Sequence, residues 1–251
     1  MRGIRRLSGT VPGVVAARLV PACLALAVGA AILAVAVPRL GAAVWLTLRD
    51  PVVAAIQSGA PVSTAELRGL VASRELALEW VDHGRAHAEM AAALTSLAAR
   101  EAPGSAAARE LLERAVAALA AALARAPADP RGWLRLAVLE NALDGPTVRA
   151  ARALQLSVQT GRHDTPEFLA LRLGLALRHW PLFEPAERRR MEEQIRALWR
   201  EAPGTLVRLV VDGWHYAAIV RAALAELPGE PERLDALVAE TMRDRSLTPA
   251  P

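Results

Sequence analysis

His83 and His87 stand four residues apart, the spacing that puts two imidazoles on one helix face as zinc enzymes require, with Asp82 and Glu89 nearby. The intervening sequence reads HGRAH and lacks the glutamate that serves as general base in an HExxH motif. Gly84 also falls between the two histidines and weakens the helix that gives the spacing its meaning. No metal site is therefore expected. His163 and Asp164 lie in a turn from Thr160 to Thr165, where Asp164 or Thr165 caps the next helix more naturally than it activates a nucleophile. His179 reads as a helix end, and His215, between Trp214 and Tyr216 on an apolar segment, as buried beside a partner. Arg188, Arg189 and Arg190 have Glu187, Glu192 and Glu193 as local counter-charges and read as a solvated face.

Composition removes further chemistry. All thirty basic residues are arginine, so Schiff-base lysines and the phosphate-binding P-loop are excluded. Cys23 is the single cysteine, which rules out an intramolecular disulfide or a thiolate cluster. No catalytic, cofactor-binding or metal residue is assigned, no cofactor is expected, and the chain reads as a non-enzyme. Asp212 and Glu184 are the acids considered for an alternative, a periplasmic glycan-binding or glycan-active protein working in a groove. The six tryptophans, the main aromatic resource for stacking on sugars, fit core packing in helical stripes.

The elements that would position any site begin with Leu19 to Val37, an uncharged apolar run close to the about 20 residues a bilayer-crossing helix needs. Arg2, Arg5, Arg6 and Arg18 precede it while only Arg39 and Arg49 closely follow, so the positive-inside rule places the N-terminus in the cytoplasm and the remainder outside. Ala34-Val35-Ala36 has the small-residue pattern of a signal-peptidase site, the rival reading, but the run is longer than a signal h-region. Ala25 and Gly29 are small enough to let two anchors approach, which leaves a homodimer open. Leu40, Val44, Trp45 and Leu48 extend the helical pattern into the interface.

The organisation expected is a basic cytoplasmic N-terminus at 1–18, a transmembrane helix at 19–38, and an interfacial segment and linker at 39–62. A tetratricopeptide-like periplasmic helical domain at 63–245 and a flexible tail at 246–251 follow. Within 39–62, Pro51 to Pro61 carries glycine and two prolines and reads as a linker or a bent lead-in. Beyond Asp50 the chain holds 24 arginines against 25 acids, so it offers no concentrated basic patch for nucleic acid.

Ala and Leu dominate and no segment alternates as a strand, which predicts an all-α fold. Ser63 and Glu66 have capping-box spacing, Gly84 ends or bends the helix they open, and Ser105 starts another. Further helices are predicted from near Asp129, Pro146, Thr165, Pro185, Thr205 and Pro231, with Gly145, Gly161, Gly204 and Gly229 in the gaps. Leu206 to Val220 is apolar but carries Arg208, Asp212 and His215, so it is expected as a buried soluble helix rather than a second span.

Ala115, Leu119, Ala122 and Pro127 have the small, large, small, proline spacing of the second helix of a tetratricopeptide repeat, and Trp133, Leu136 and Ala137 match the start of the next unit. The following unit departs from the pattern, with Glu140 at an aromatic position and no proline near Thr160. An ordinary alanine-rich bundle is the alternative.

Three stretches, SRELALEWVDHGRAHAEMAAAL, PADPRGWLRLAVLENALDG and the segment from LQLSVQTG to RALWR, resemble the membrane-anchored helical proteins of bacterial exopolysaccharide clusters, the VpsP-like group. The similarity covers roughly residues 71–200 and consists mainly of Leu, Ala and Trp packing positions. It implies a role in envelope polysaccharide assembly, exercised at the bacterial inner membrane by docking protein partners, and it carries no catalytic residue. A maturation or assembly factor unrelated to sugars is a third option.

Overall fold

A computed structural model describes residues 12–161 and 165–247, and the described residues contain helices and no strand. His163 and Asp164, read above as a capping turn, lie outside the described residues. In chain order the helices are α1 (Pro12–Thr47), α2 (Asp50–Ser58), α3 (Thr64–Trp80), α4 (Gly84–Ala98), α5 (Ala106–Arg125) and α6 (Pro130–Asp144). Then come α7 (Val148–Thr160), α8 (Pro166–Arg178), α9 (Pro185–Glu201), α10 (Pro203–Asp212), α11 (Ala217–Leu224) and α12 (Glu230–Leu247). The all-α expectation is therefore met.

Helix α1 is 36 residues long, about 54 Å at 1.5 Å per residue, well beyond a hydrocarbon core of about 30 Å. Its most apolar 18-residue stretch has a mean hydropathy of 2.2 and is wholly unburied, so this helix is long and apolar enough to cross a membrane. The excess length is used at the other end. Ala42 and Leu46 are buried, and Leu46 packs with Ala77 of α3 and Ala86 of α4, with Trp45 and Leu78 alongside. Trp45 thus packs at a joint between α1 and the helices α3 and α4, where the sequence pattern pointed to a lipid interface.

The segment read as a linker is instead largely helical. Pro51 sits in the first turn of α2, where its missing N–H is no loss, and Gly59 closes the helix in the left-handed region at φ 72°. Val52 and Val53 enter the main core. Two prolines and a glycine punctuate the ends of this helix, which is why they looked like a linker.

Ser63 and Glu66 form the expected capping box: the Ser63 N–H donates to Glu66 Oε2 at 2.7 Å and the Glu66 N–H to Ser63 Oγ at 3.2 Å. Other boundaries shift. Helix α3 stops at Trp80, four residues before Gly84, which instead opens α4 behind the N-cap His83. Gly204 lies inside α10, since Pro203 opens that helix two residues before Thr205. Leu206 to Val220 is broken at Gly213 and by a short 3-10 turn, Trp214–Tyr216, so the expected single buried helix is two helices whose Leu206, Val207, Val210 and Val220 are buried. Ser246 and Leu247, assigned to a flexible tail, continue α12.

Helices α3 to α7 each pack on the next in the chain, most extensively α4 on α5 and α6 on α7. Ala91, Ala93, Ala115, Ala118 and Ala122 are buried where α4 meets α5, and the small side chains let the two backbones approach. Across the α5–α6 turn, the Trp133 indole N–H donates to the Pro127 carbonyl at 2.8 Å. Gly132, in the first turn of α6, sits close under the Asp129 carboxylate and Leu123, and a Cβ there would come within 2.7 Å of Asp129 Oδ2 and 2.8 Å of Leu123 Cδ2, so those side chains would have to shift. A first core spans α2 to α7 and reaches Leu175, Phe183 and Met191, and a second joins α8 to α12 around Leu173, Ile195, Leu198 and Trp199.

Candidate docking groove

The functional question turns on where polar and apolar groups remain available once the helices have packed. Helices α4, α6 and α8, the first members of successive helix pairs, leave between them a groove of about 460 Å3 that α2 bounds through Ile56. Its floor is Ala88, Ala91, Leu134 and Leu139, and its rim carries Val138 and Leu171, exposed by 49% and 69%. Large apolar side chains so exposed on a shared concavity are the usual mark of a binding surface. Thr95, Arg131 and Arg135 supply the polar lining, and among the described residues no carboxylate lines the groove. Thr95 already spends its hydroxyl on the Ala91 carbonyl at 2.7 Å.

Phe168 on α8 is held in the groove wall by two guanidinium groups, Arg172 at 4.6 Å and Arg131 at 5.8 Å from the ring centroid. Arg172 is fully buried. Its Nη2 donates to the Ser157 carbonyl at 3.1 Å and its Nη1 to the Gly161 carbonyl and Gln194 Oε1, both at 2.9 Å, so it caps the C-terminal end of α7 and ties α8 to α9. The Ser157 hydroxyl in turn donates to the Pro130 carbonyl at 2.7 Å, extending the network to α6. This cluster fixes the angle between helix pairs on which the groove depends.

A larger cleft, about 520 Å3, lies between α11 and α12 at residues 218–232. Its arginine, Arg221, is engaged by Asp235 at 2.9 Å and lies 3.8 Å from Glu232, and the cleft is shallower in apolar character than the α4–α6–α8 groove.

The residues singled out by spacing are dispersed. His83 Nδ1 accepts the Arg85 N–H at 3.1 Å as a helix cap, while His87 Nε2 pairs with Asp82 Oδ1 at 2.8 Å, so the two imidazoles serve different partners. Burial pushes the His87 pKa down, and Asp82 is held also by Arg125. Among the described residues no three His, Cys, Asp or Glu side chains converge as a metal site would need. His179 is buried at the end of α8 with its Nδ1 against the Leu175 carbonyl at 2.9 Å. His215 corrects the expectation of burial: it is exposed, its ring 3.8 Å from that of Tyr216, because the break at Gly213 turns it off the apolar face.

The two acids considered for glycan chemistry do local work at the surface. Asp212 pairs with Arg245 at 2.8 Å, and Glu184 stands at the N-terminus of α9, where its N–H donates to Glu187 Oε2 at 2.7 Å. Arg189 and Arg190 are exposed, as a solvated face requires. Of the tryptophans, Trp199 is buried and donates to Glu230 at 2.7 Å, whereas Trp80 is 48% exposed and departs from the core role.

Spacing rules aimed at catalysis missed the groove and the buried arginines. A signal was present: Arg74 continues the stripe Leu67, Leu70, Ala77, and Arg172 stands between Leu169, Leu173 and Ala176. Charged residues at such positions are buried only when paired. No protein-family model matches the chain, and no characterised protein and no solved structure matches it.

Proposed function

We propose that this chain is a single-pass, membrane-anchored helical scaffold whose α4–α6–α8 groove docks an apolar helix bearing carboxylates on a partner protein. The observation that carries the reading is the groove itself: an apolar floor, exposed Val138 and Leu171, the exposed Arg135 and, among the described residues, no acid in the lining. An amphipathic helix would bury its apolar face there and set its acids against the exposed Arg135. In this reading α4–α5, α6–α7 and α8–α9 are tetratricopeptide-like pairs, with the first helices lining the concave side. The anchor holds the N-terminus in the cytoplasm and the helical domain in the periplasm of a bacterial inner membrane, where tethering raises the effective concentration of a membrane-bound partner. The resemblance of residues 71–200 to the VpsP-like group supports exopolysaccharide biosynthesis or export as the setting.

A photo-crosslinking residue at Val138 in living cells tests this. The expected adduct is a protein peptide, rich in apolar and acidic residues, from an envelope protein, and Arg135→Glu removes it. A glycan adduct, or adducts with cytoplasmic proteins alone, would overturn the proposal.

A further inference from the structure

Among the described residues Trp80 is the one large aromatic side chain that the fold leaves half uncovered, and its position is set by α1. Its indole lies flat on Gly41 of α1, so close that a Cβ there would stand 2.6 Å from Trp80 Cδ2. Gly41 shares a helix face with Val37 and Leu33, at steps of four residues, and both are exposed. The indole therefore occupies the next place down the apolar stripe of the spanning helix, supplied by the domain where the anchor has no side chain. Gly41 stands two residues past Arg39, the first charged residue after the apolar run, and in the anchor reading that charge sets the headgroup level.

The ring's polar end fits that level too. Trp133 and Trp199 donate their indole N–H groups to Pro127 and Glu230, whereas the Trp80 N–H has no acceptor among the described residues. Tryptophan with an apolar body against a lipid-facing stripe and an unspent donor is the side chain enriched at membrane interfaces. The nearby Asp82 does not repel headgroups as a bare anion, because Arg125 and His87 engage it.

We infer that Trp80 is a second membrane contact, inserting into the headgroup interface and seating the α3–α4 corner on the bilayer so that the domain stands at a fixed tilt. The inference rests on the anchor reading, and the occupant is the lipid interface rather than a second copy of this chain.

Full-length protein in nanodiscs of phosphatidylcholine brominated high on its acyl chains provides the test through tryptophan fluorescence. Wild type should be quenched more than Trp80→Phe or Trp80→Tyr, each checked for unchanged helicity. Val35→Trp in the Trp80→Phe background reports the anchor separately and should be strongly quenched. Equal quenching of wild type and both ring variants, with Val35→Trp quenched, overturns the interfacial contact and leaves the anchor standing. The same equality accompanied by two chains per disc assigns Trp80 to a second copy and equally overturns it. Unquenched Val35→Trp overturns anchor and contact together.

Discussion

The Arg74 guanidinium donates to the Trp45 carbonyl across 2.9 Å and to Glu89 Oε2 across 2.6 Å, fastening the emerging end of α1 to α3 and α4 with a fully buried cation. Asp50 of α2 lies 3.9 Å away and is bridged to Glu89 by Arg85, so four helices meet in one ionic network. Such a joint ties the end of α1 to the helices that follow it.

Replacing Arg74 by methionine keeps the volume and deletes the charge. The Trp45 carbonyl then loses its donor and Glu89, nearly buried, keeps only Arg85. Loss of about 3 kcal/mol is expected from breaking a buried pair on one side. Denaturant unfolding of the detergent-solubilised chain measures it, and protease cleavage between α1 and α3 should become faster.

Gly41→Leu should destabilise by about 1–3 kcal/mol, because the new side chain must displace the Trp80 ring. With Trp80→Ala in place the same substitution meets open space and gains helix propensity, about 0.8 kcal/mol. A double-mutant cycle read by thermal unfolding therefore shows a change of sign.

The Ser63 hydroxyl and backbone hold the Glu66 carboxyl below the ordinary glutamate range. A depressed pKa in the folded chain means the contribution is complete above the unfolded value, about 4.3, and disappears as pH falls through the lower folded value. Glu66→Ala should thus lower Tm at pH 7 and match wild type near pH 2. Ser63→Ala, which removes the cap itself, should cost about 1 kcal/mol at neutral pH.

At the groove, Leu171→Asp and Arg135→Glu change exposed residues without local partners. Stability should stay within about 0.5 kcal/mol of wild type. Crosslinking from Val138 should fall at least about tenfold, since removing either an apolar anchor or a charge complement costs more than about 1.4 kcal/mol of binding. Full crosslinking with either variant would detach the groove from partner binding.

Much of the architecture was legible because its signals are local. Ser63, Ser105, Asp129 and Thr165 cap helices by hydrogen bonds to residues two or three positions on, and those bonds depend on little beyond the adjoining chain. The stripe Ala115, Leu119, Ala122 is likewise a property of one helix. Pro51 misled because a proline in a first turn and a proline in a linker are the same letter, and only burial of Val52 and Val53 separates them. His215 misled because the apolar run around it was assumed continuous, while Gly213 breaks it.

The order of the letters alone determined that this chain is helical, that one helix near its start is apolar enough for a bilayer, and where most helices begin, because hydrophobic periodicity and capping act within a few residues. Tertiary structure decided that the end of α1 is fastened to α3 through Arg74, that Trp80 lies on Gly41, and that α4, α6 and α8 share a groove which among the described residues carries no carboxylate. Those relationships join residues tens of positions apart, and their energies exist only once close packing has excluded water from between the helices.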